Sequence, residues 1–183
     1  MKKNRWLIIG IASGLLGLAC SSHAQENYIP NGDFSLGGKN WDVAYRDPEI
    51  GTVTFEKGSA PDGAGYVRLA PLNSAAPRHL ALQQRITKFP LPGRYKLKTW
   101  MRISEDYAAK MPVMQLSWRV SGEQGATTSE SLALPDTAKP GEWGLCEKEI
   151  DIPDGLASMF AVLFTYGSMG SADFDGVTLE PLP

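Results

Sequence analysis

Along residues 94–103 the side chains alternate in kind. Tyr95, Leu97, Met101 and Ile103 fall on one side of an extended chain, and Lys96, Lys98, Trp100 and Arg102 fall on the other. Residues 111–120 sort in the same way, with Met114, Leu116, Trp118 and Val120 opposed to Gln115, Ser117 and Arg119. If the two strands are neighbours in one sheet, Trp100 offers a flat ring for C–H-rich surface to stack on. Arg102, Gln115 and Arg119 then place planar polar groups beside it for hydroxyl hydrogen bonds. That is the contact set a sugar ring requires. The plainer reading is that Arg102 and Arg119 are solvated, or pair with Glu105 or Asp106. Trp118 and Trp143 are expected in the core.

Catalytic chemistry finds less material. His79 is the one histidine beyond the leader-like start, and no G-x-S-x-G elbow, H-E-x-x-H helix, C-x-x-C pair or Gly-rich phosphate loop occurs. Glycoside hydrolysis needs two carboxylates facing each other across roughly 5 to 9 Å. Glu105, Asp106, Glu147 and Glu149 are the candidates, but Glu147 and Glu149 stand side by side on one strand face. A small lyase using His79 or a tyrosine as base, with Arg102 and Arg119 neutralising a uronate, is the enzymatic alternative. The expectation is a protein with no catalytic residues. Cys146 is expected as a small buried side chain rather than a nucleophile.

The elements that would position these residues are short. Candidate strands cover 41–45, 51–57, 65–70, 79–86, 94–103, 111–120, 144–150, 159–166 and 171–180, with reversals at Pro61-Asp62-Gly63, Pro90-Leu91-Pro92-Gly93, Ser121-Gly122, Pro140-Gly141 and Pro153-Asp154-Gly155. At most a helical turn is expected over 104–110. The pattern predicts an all-β sandwich or barrel in one domain over 25–183. A net charge of −2, with both signs interspersed, gives no polyanion-binding block and no nucleic-acid partner.

Residues 1–24 read as an export signal: Lys2, Lys3 and Arg5, an apolar run from Trp6 to Leu18, then small and polar residues. The run is shorter than the roughly 20 residues of a membrane span. Ser22-His23-Ala24 favours release from Gln25 into the periplasm or the exterior. Ala19-Cys20 resembles a bacterial lipobox, and the alternative is an outer-membrane lipoprotein that touches the membrane only through acylated Cys20.

From Asn27 onward the sequence runs Asn27-Tyr28-Ile29-Pro30-Asn31-Gly32-Asp33-Phe34, then Gly37-Gly38-Lys39-Asn40-Trp41. This closely resembles the opening of the carbohydrate-binding modules grouped around families four, nine and twenty-two. Gly65–Leu69, Leu82–Ile86, Pro92–Arg102, Glu142-Trp143, Ile150–Pro153 and Phe174–Leu179 continue the likeness in order. The resemblance implies a two-sheet jelly-roll β-sandwich of the galactose-binding-like type. It also implies a non-catalytic glycan-binding face on one concave sheet, with Trp41, Tyr45 and Tyr166 at the rim, Trp41 being alternatively a core plug. A structural calcium ion is implied near Asp33 and Asp175, with Gly58 as a carbonyl donor, although Ser35 and Gly176 stand where the family carries acids. Without calcium, Asp33 caps a turn and Asp175 meets a backbone amide. The function expected is binding of a polysaccharide or oligosaccharide. The alternative is a cell-envelope module on the same fold, holding a protein partner.

Overall fold

The computed structural model describes residues 26–44, 49–58, 60–61, 63, 65–72, 78–122 and 126–183. The proposed leader, Cys20, Gln25 and Tyr45 lie outside them. Among the described residues, ten strands form two five-stranded antiparallel sheets. They are β1 Asp42–Val43, β2 Gly51–Lys57, β3 Gly65–Pro71, β4 Arg78–Arg85, β5 Gly93–Ile103, β6 Ala108–Val120, β7 Thr128–Ala133, β8 Gly144–Ile152, β9 Leu156–Met169 and β10 Ala172–Pro181. Sheet A has the order β1-β4-β9-β6-β7, and sheet B has β2-β3-β10-β5-β8. The chain therefore crosses repeatedly between sheets, which makes the sandwich a jelly roll.

Alternation builds the core as expected. Tyr95, Leu97, Met101 and Ile103 of β5 pack inward from sheet B against Met114, Leu116 and Trp118 of β6 from sheet A, among Leu163, Phe174 and Leu179. Cys146 is buried there as well, and burial pushes its thiol up to about 11.

The N-terminal segment closes one end of the sandwich. Asn27 Oδ1 accepts from the Ile29 and Leu179 amides, both at 3.0 Å, and the Tyr28 N–H donates to the Leu179 carbonyl. Asn31, at φ 56°, donates its side-chain amide to the carbonyls of Gly37 and Lys39 and accepts from the Leu36 N–H. Trp41 Nε1 donates to the Asn31 carbonyl at 3.1 Å, and the buried indole packs on Phe34 with ring centres 5.4 Å apart. Trp41 is thus the core plug and not a rim residue.

The expectation for 104–110 holds, one strand was missed, and the placement of Trp143 is corrected. Residues 104–110 hold only a turn, closed by the Tyr107 N–H on the Ser104 carbonyl, before β6 begins at Ala108. β7 was not anticipated, because only Leu132 of Thr128–Ala133 is buried and an edge strand of mostly polar residues carries no alternation signal. Trp143 lies half-buried outside the core, against Tyr66 and Arg102 on the outer side of sheet B.

Candidate functional site

The outer face of sheet B takes its side chains from alternate positions of β3, β10, β5 and β8. Trp100 of β5 opposes Asp175 of β10 and Leu145 of β8, and Arg102 opposes Asp173. Asp173 is buried at 3% exposure and is held by two arginines. Arg68 engages both carboxylate oxygens, at 2.8 and 3.0 Å, and Arg102 donates Nε and an Nη to Oδ2 at 2.9 and 2.7 Å. The carboxylate pushes the Arg68 guanidinium further up. The Arg102 guanidinium lies 4.5 Å over the Trp143 ring and 5.1 Å over Tyr66. Further along the face, Lys96 sits 3.6 Å from Glu147, and Arg94 pairs with Glu149. On this face the charges of Arg94, Lys96 and Arg102 are therefore offset by Glu149, Glu147 and Asp173. Arg102 pairs with Asp173 and not with Glu105 or Asp106.

Gln115 and Arg119 are on the other sheet. β5 and β6 follow one another in sequence but belong to sheets B and A, so the composite face of Trp100, Arg102, Gln115 and Arg119 does not exist as one surface. Tyr166, on β9, shares sheet A with Gln115 and Arg119.

The outer face of sheet A has its own order. Gln83, Val162, Gln115 and Ser131 stand in one row across β4, β9, β6 and β7, with Asp42 of β1 beyond Gln83. On one side of that row is Arg85–Phe160–Ser117–Ser129. On the other are Ala81–Phe164–Val113–Ala133 and then His79–Tyr166–Lys110. β9 thus presents Phe160, Val162, Phe164 and Tyr166 outward while Met159, Ala161 and Leu163 are buried. Tyr166 is 41% exposed, with the Lys110 ammonium 5.8 Å from its ring centre, and His79 meets Phe164 edge-on at 5.2 Å. Beside Phe160 a groove of about 360 Å³ is lined by Ser117, Arg119, Thr127 and Ser158. Arg119 is steadied there by a 3.0 Å bond from Nε to Thr127 Oγ1.

Phe160, Phe164, Gln83 and Arg85 were not singled out in the sequence. β9 is apolar on both faces, so alternation could not say which residues point out. The pairing of Arg85 with Phe160 is a register fact that no local pattern carries.

Of the candidate calcium residues, Asp33 belongs to the N-terminal segment, Asp175 to β10, and Gly58 follows β2. Gly63 sits so close that a Cβ there would come 2.7 Å from the Asp33 carbonyl oxygen and 3.5 Å from Asp175 Oδ1. A side chain would fill the space between these two hard oxygens, both of a kind that suits calcium. The Asp33 carboxylate is turned elsewhere, accepting from the Ser35 N–H and Oγ at 3.2 and 3.0 Å, so it is the Asp33 carbonyl that fits a metal. The Gly58 carbonyl accepts from the Ala60 N–H. Gly176, at φ 56°, occupies the bulge of β10 between Asp175 and Thr178, a conformation that favours glycine over an acid. Among the described residues, no three His, Cys, Asp or Glu side chains are grouped to hold a metal.

No family model and no curated protein matches the chain. Solved structures do. A family 16 carbohydrate-binding module is similar over 84% of this chain and 99% of its own, with a TM-score of 0.63 and 16% identity. A family 61 module, solved in complex with β-1,4-galactotriose, is similar over 86% and 99%, with a TM-score of 0.57 and 20% identity. The enzymatically active domain of tailspike protein 4 of bacteriophage CBA120 reaches a TM-score of 0.67 at 12% identity; 85% of this chain is covered, but the chain spans only 21% of that one. The fold is the jelly roll of carbohydrate-binding modules.

Proposed function

We propose that this chain is a non-catalytic glycan-binding module, exported from the cell, whose binding surface is the outer face of sheet A. The observation that carries the reading is the line Phe160–Val162–Phe164–Tyr166 on β9, flanked by the planar amides of Gln83 and Gln115. Aromatic rings standing outward, with amides one strand away on either side, suit the two faces of a sugar: C–H surface for stacking and hydroxyls for hydrogen bonds. Trp100 supports it less, because the sheet B face it stands on is occupied by the Asp173 cluster and by the Lys96–Glu147 and Arg94–Glu149 pairs.

Likeness to two carbohydrate-binding modules, one of them solved with β-1,4-galactotriose, supports a glycan partner in general. Calcium is part of the proposal as a structural ion between the Asp33 carbonyl and Asp175, on the side of sheet B and away from the glycan face. Release from Gln25, or anchoring through Cys20, completes the exported form and is checked by the mass of the mature N-terminus.

Binding to a panel of neutral and acidic polysaccharides, followed by calorimetry, tests the reading. Phe160→Ala and Gln115→Ala are each expected to weaken binding about tenfold or more, with the fold intact by far-UV circular dichroism, while Trp100→Ala leaves it unchanged. A Trp100→Ala loss with Phe160→Ala neutral would move the site to sheet B. A folded protein that binds no glycan would favour a cell-envelope protein as the partner.

A further inference from the structure

Resting on the sheet A reading, we propose that the ligand is an acidic polysaccharide, a uronate-type polymer laid along β9, with its carboxylates met by Arg85, Arg119 and Lys110.

The two outer faces differ in how their charges are settled. On sheet B, Arg68 and Arg102 share Asp173, Arg94 has Glu149, and Lys96 has Glu147. On sheet A, the three central strands β4, β9 and β6 contain no Asp or Glu at all. The sheet's two carboxylates are on edge strands: Glu130 of β7 is engaged by Lys148 of β8, and Asp42 of β1 stands opposite Gln83. Arg85, Lys110 and Arg119 are exposed and have no carboxylate partner among the described residues. His79 and the Tyr166 phenol are the other titratable groups of the central rows. In a chain whose net charge is −2, three cations gathered on one face with no ion pair among the described residues, and with Asp42 as the one carboxylate that shares a pocket with Arg85, mark a surface built for an anion.

Their placement suits a polymer more than a single anion. Arg85 opposes Phe160 directly from β4, and Arg119 lines the groove on the β6 side of the same ring, its guanidinium held by Thr127. Lys110 stands over Tyr166 at the other end of the line. Phe160 and Tyr166 are six positions apart on a strand, a span of about 20 Å. Charges at both ends, with rings and amides between, read a chain of several sugars that carries acid groups at intervals. The guanidinium fork donates to a carboxylate lying in its plane, and the intervening rings supply what a simple polyanion cannot use.

The experiment compares two polymers that differ only in charge: polygalacturonate and its fully methyl-esterified form, with polyglutamate as an anion that has no sugar rings. The acid form is expected to bind about tenfold or more tightly than the ester, and its advantage is expected to shrink as salt is raised to about 0.5 M. Arg85→Gln and Arg119→Gln are each expected to weaken the acid form about three- to tenfold with little effect on the ester, whereas Phe160→Ala weakens both. Equal affinity for acid and ester overturns the charge assignment while leaving glycan binding standing. Polyglutamate binding as tightly as polygalacturonate overturns it too, because charge alone would then suffice. Absence of binding to every sugar polymer sinks the glycan reading beneath it.

Discussion

Asp173 lies on the outer side of β10, yet only 3% of it reaches solvent, because Arg68, Arg102, Tyr66 and Trp143 close over it. A carboxylate in that position is worth more than an exposed ion pair, since removing it leaves two guanidinium groups in place with nothing between them. Breaking a fully buried pair costs about 3–5 kcal/mol. Arg68 and Arg102 retain 38% and 23% side-chain exposure, so water recovers part of that loss. Asp173→Asn is therefore expected to cost about 2 kcal/mol, read as a fall in the denaturation midpoint with a change in tryptophan emission as the ring cluster loosens. Glu147→Gln, which removes the exposed partner of Lys96, is expected to cost less than about 0.5 kcal/mol. Equal effects from the two would mean that the Asp173 cluster is solvated surface. The same cluster fixes the orientation of Arg102, whose Nε and one Nη are both directed to Asp173.

The N-terminal loop and β10 show why a short motif reads so strongly. Gly32 has no room for a side chain, since a Cβ would lie 1.9 Å from the Val177 carbonyl oxygen, and its own carbonyl accepts the Val177 N–H at 3.0 Å. Gly32→Ala must push the loop off β10, uncovering Ile29 and loosening the seat of Trp41. The expected cost is about 3 kcal/mol or more. Gly37→Ala makes the contrast: with φ 59° and open space around it, only the backbone preference is lost, about 1 kcal/mol. Thermal melts of the two variants check this, and a Gly32→Ala protein as stable as Gly37→Ala would show that the loop is not held against the strand. At this scale the sequence was legible wherever one face is apolar and the other is not. β5 and β6 sorted their residues correctly, and Leu97, Met101, Met114, Leu116 and Trp118 are all in the core. What was not legible was partnership. Consecutive strands β5 and β6 carry the right faces but in different sheets, so joining Trp100 to Gln115 required a pairing that alternation does not encode. β9 hid its outward row for a different reason: Phe160 and Phe164 are as apolar as the buried residues between them.

In the whole molecule, the segment from Asn27 to Gly32 is tied to β10, with Tyr28 bonded to Leu179 and Gly32 to Val177. A calcium ion between the Asp33 carbonyl and Asp175 would add a further tie at the same seam. It would act on stability and not on recognition, because that seam borders sheet B while the proposed glycan face belongs to sheet A. An ion that binds only the folded state at a hundred times its dissociation constant contributes about 2.7 kcal/mol. For a chain of this size each kcal/mol moves the melting midpoint by about 2–4 °C, so saturating calcium is expected to raise Tm by about 5–10 °C over the chelated protein. Asp175→Asn should abolish the rise, and Asp33→Asn should preserve it, because a substitution at the side chain leaves the backbone carbonyl in place. Glycan affinity measured with calcium and with chelator below the lower melting point should be the same. If chelator leaves Tm unchanged, the seam is held by the loop's own hydrogen bonds and the calcium assignment falls. If Tm rises with calcium but Asp33→Asn abolishes it, the carboxylate and not the carbonyl is the ligand, and the turn at Ser35 must open to supply it.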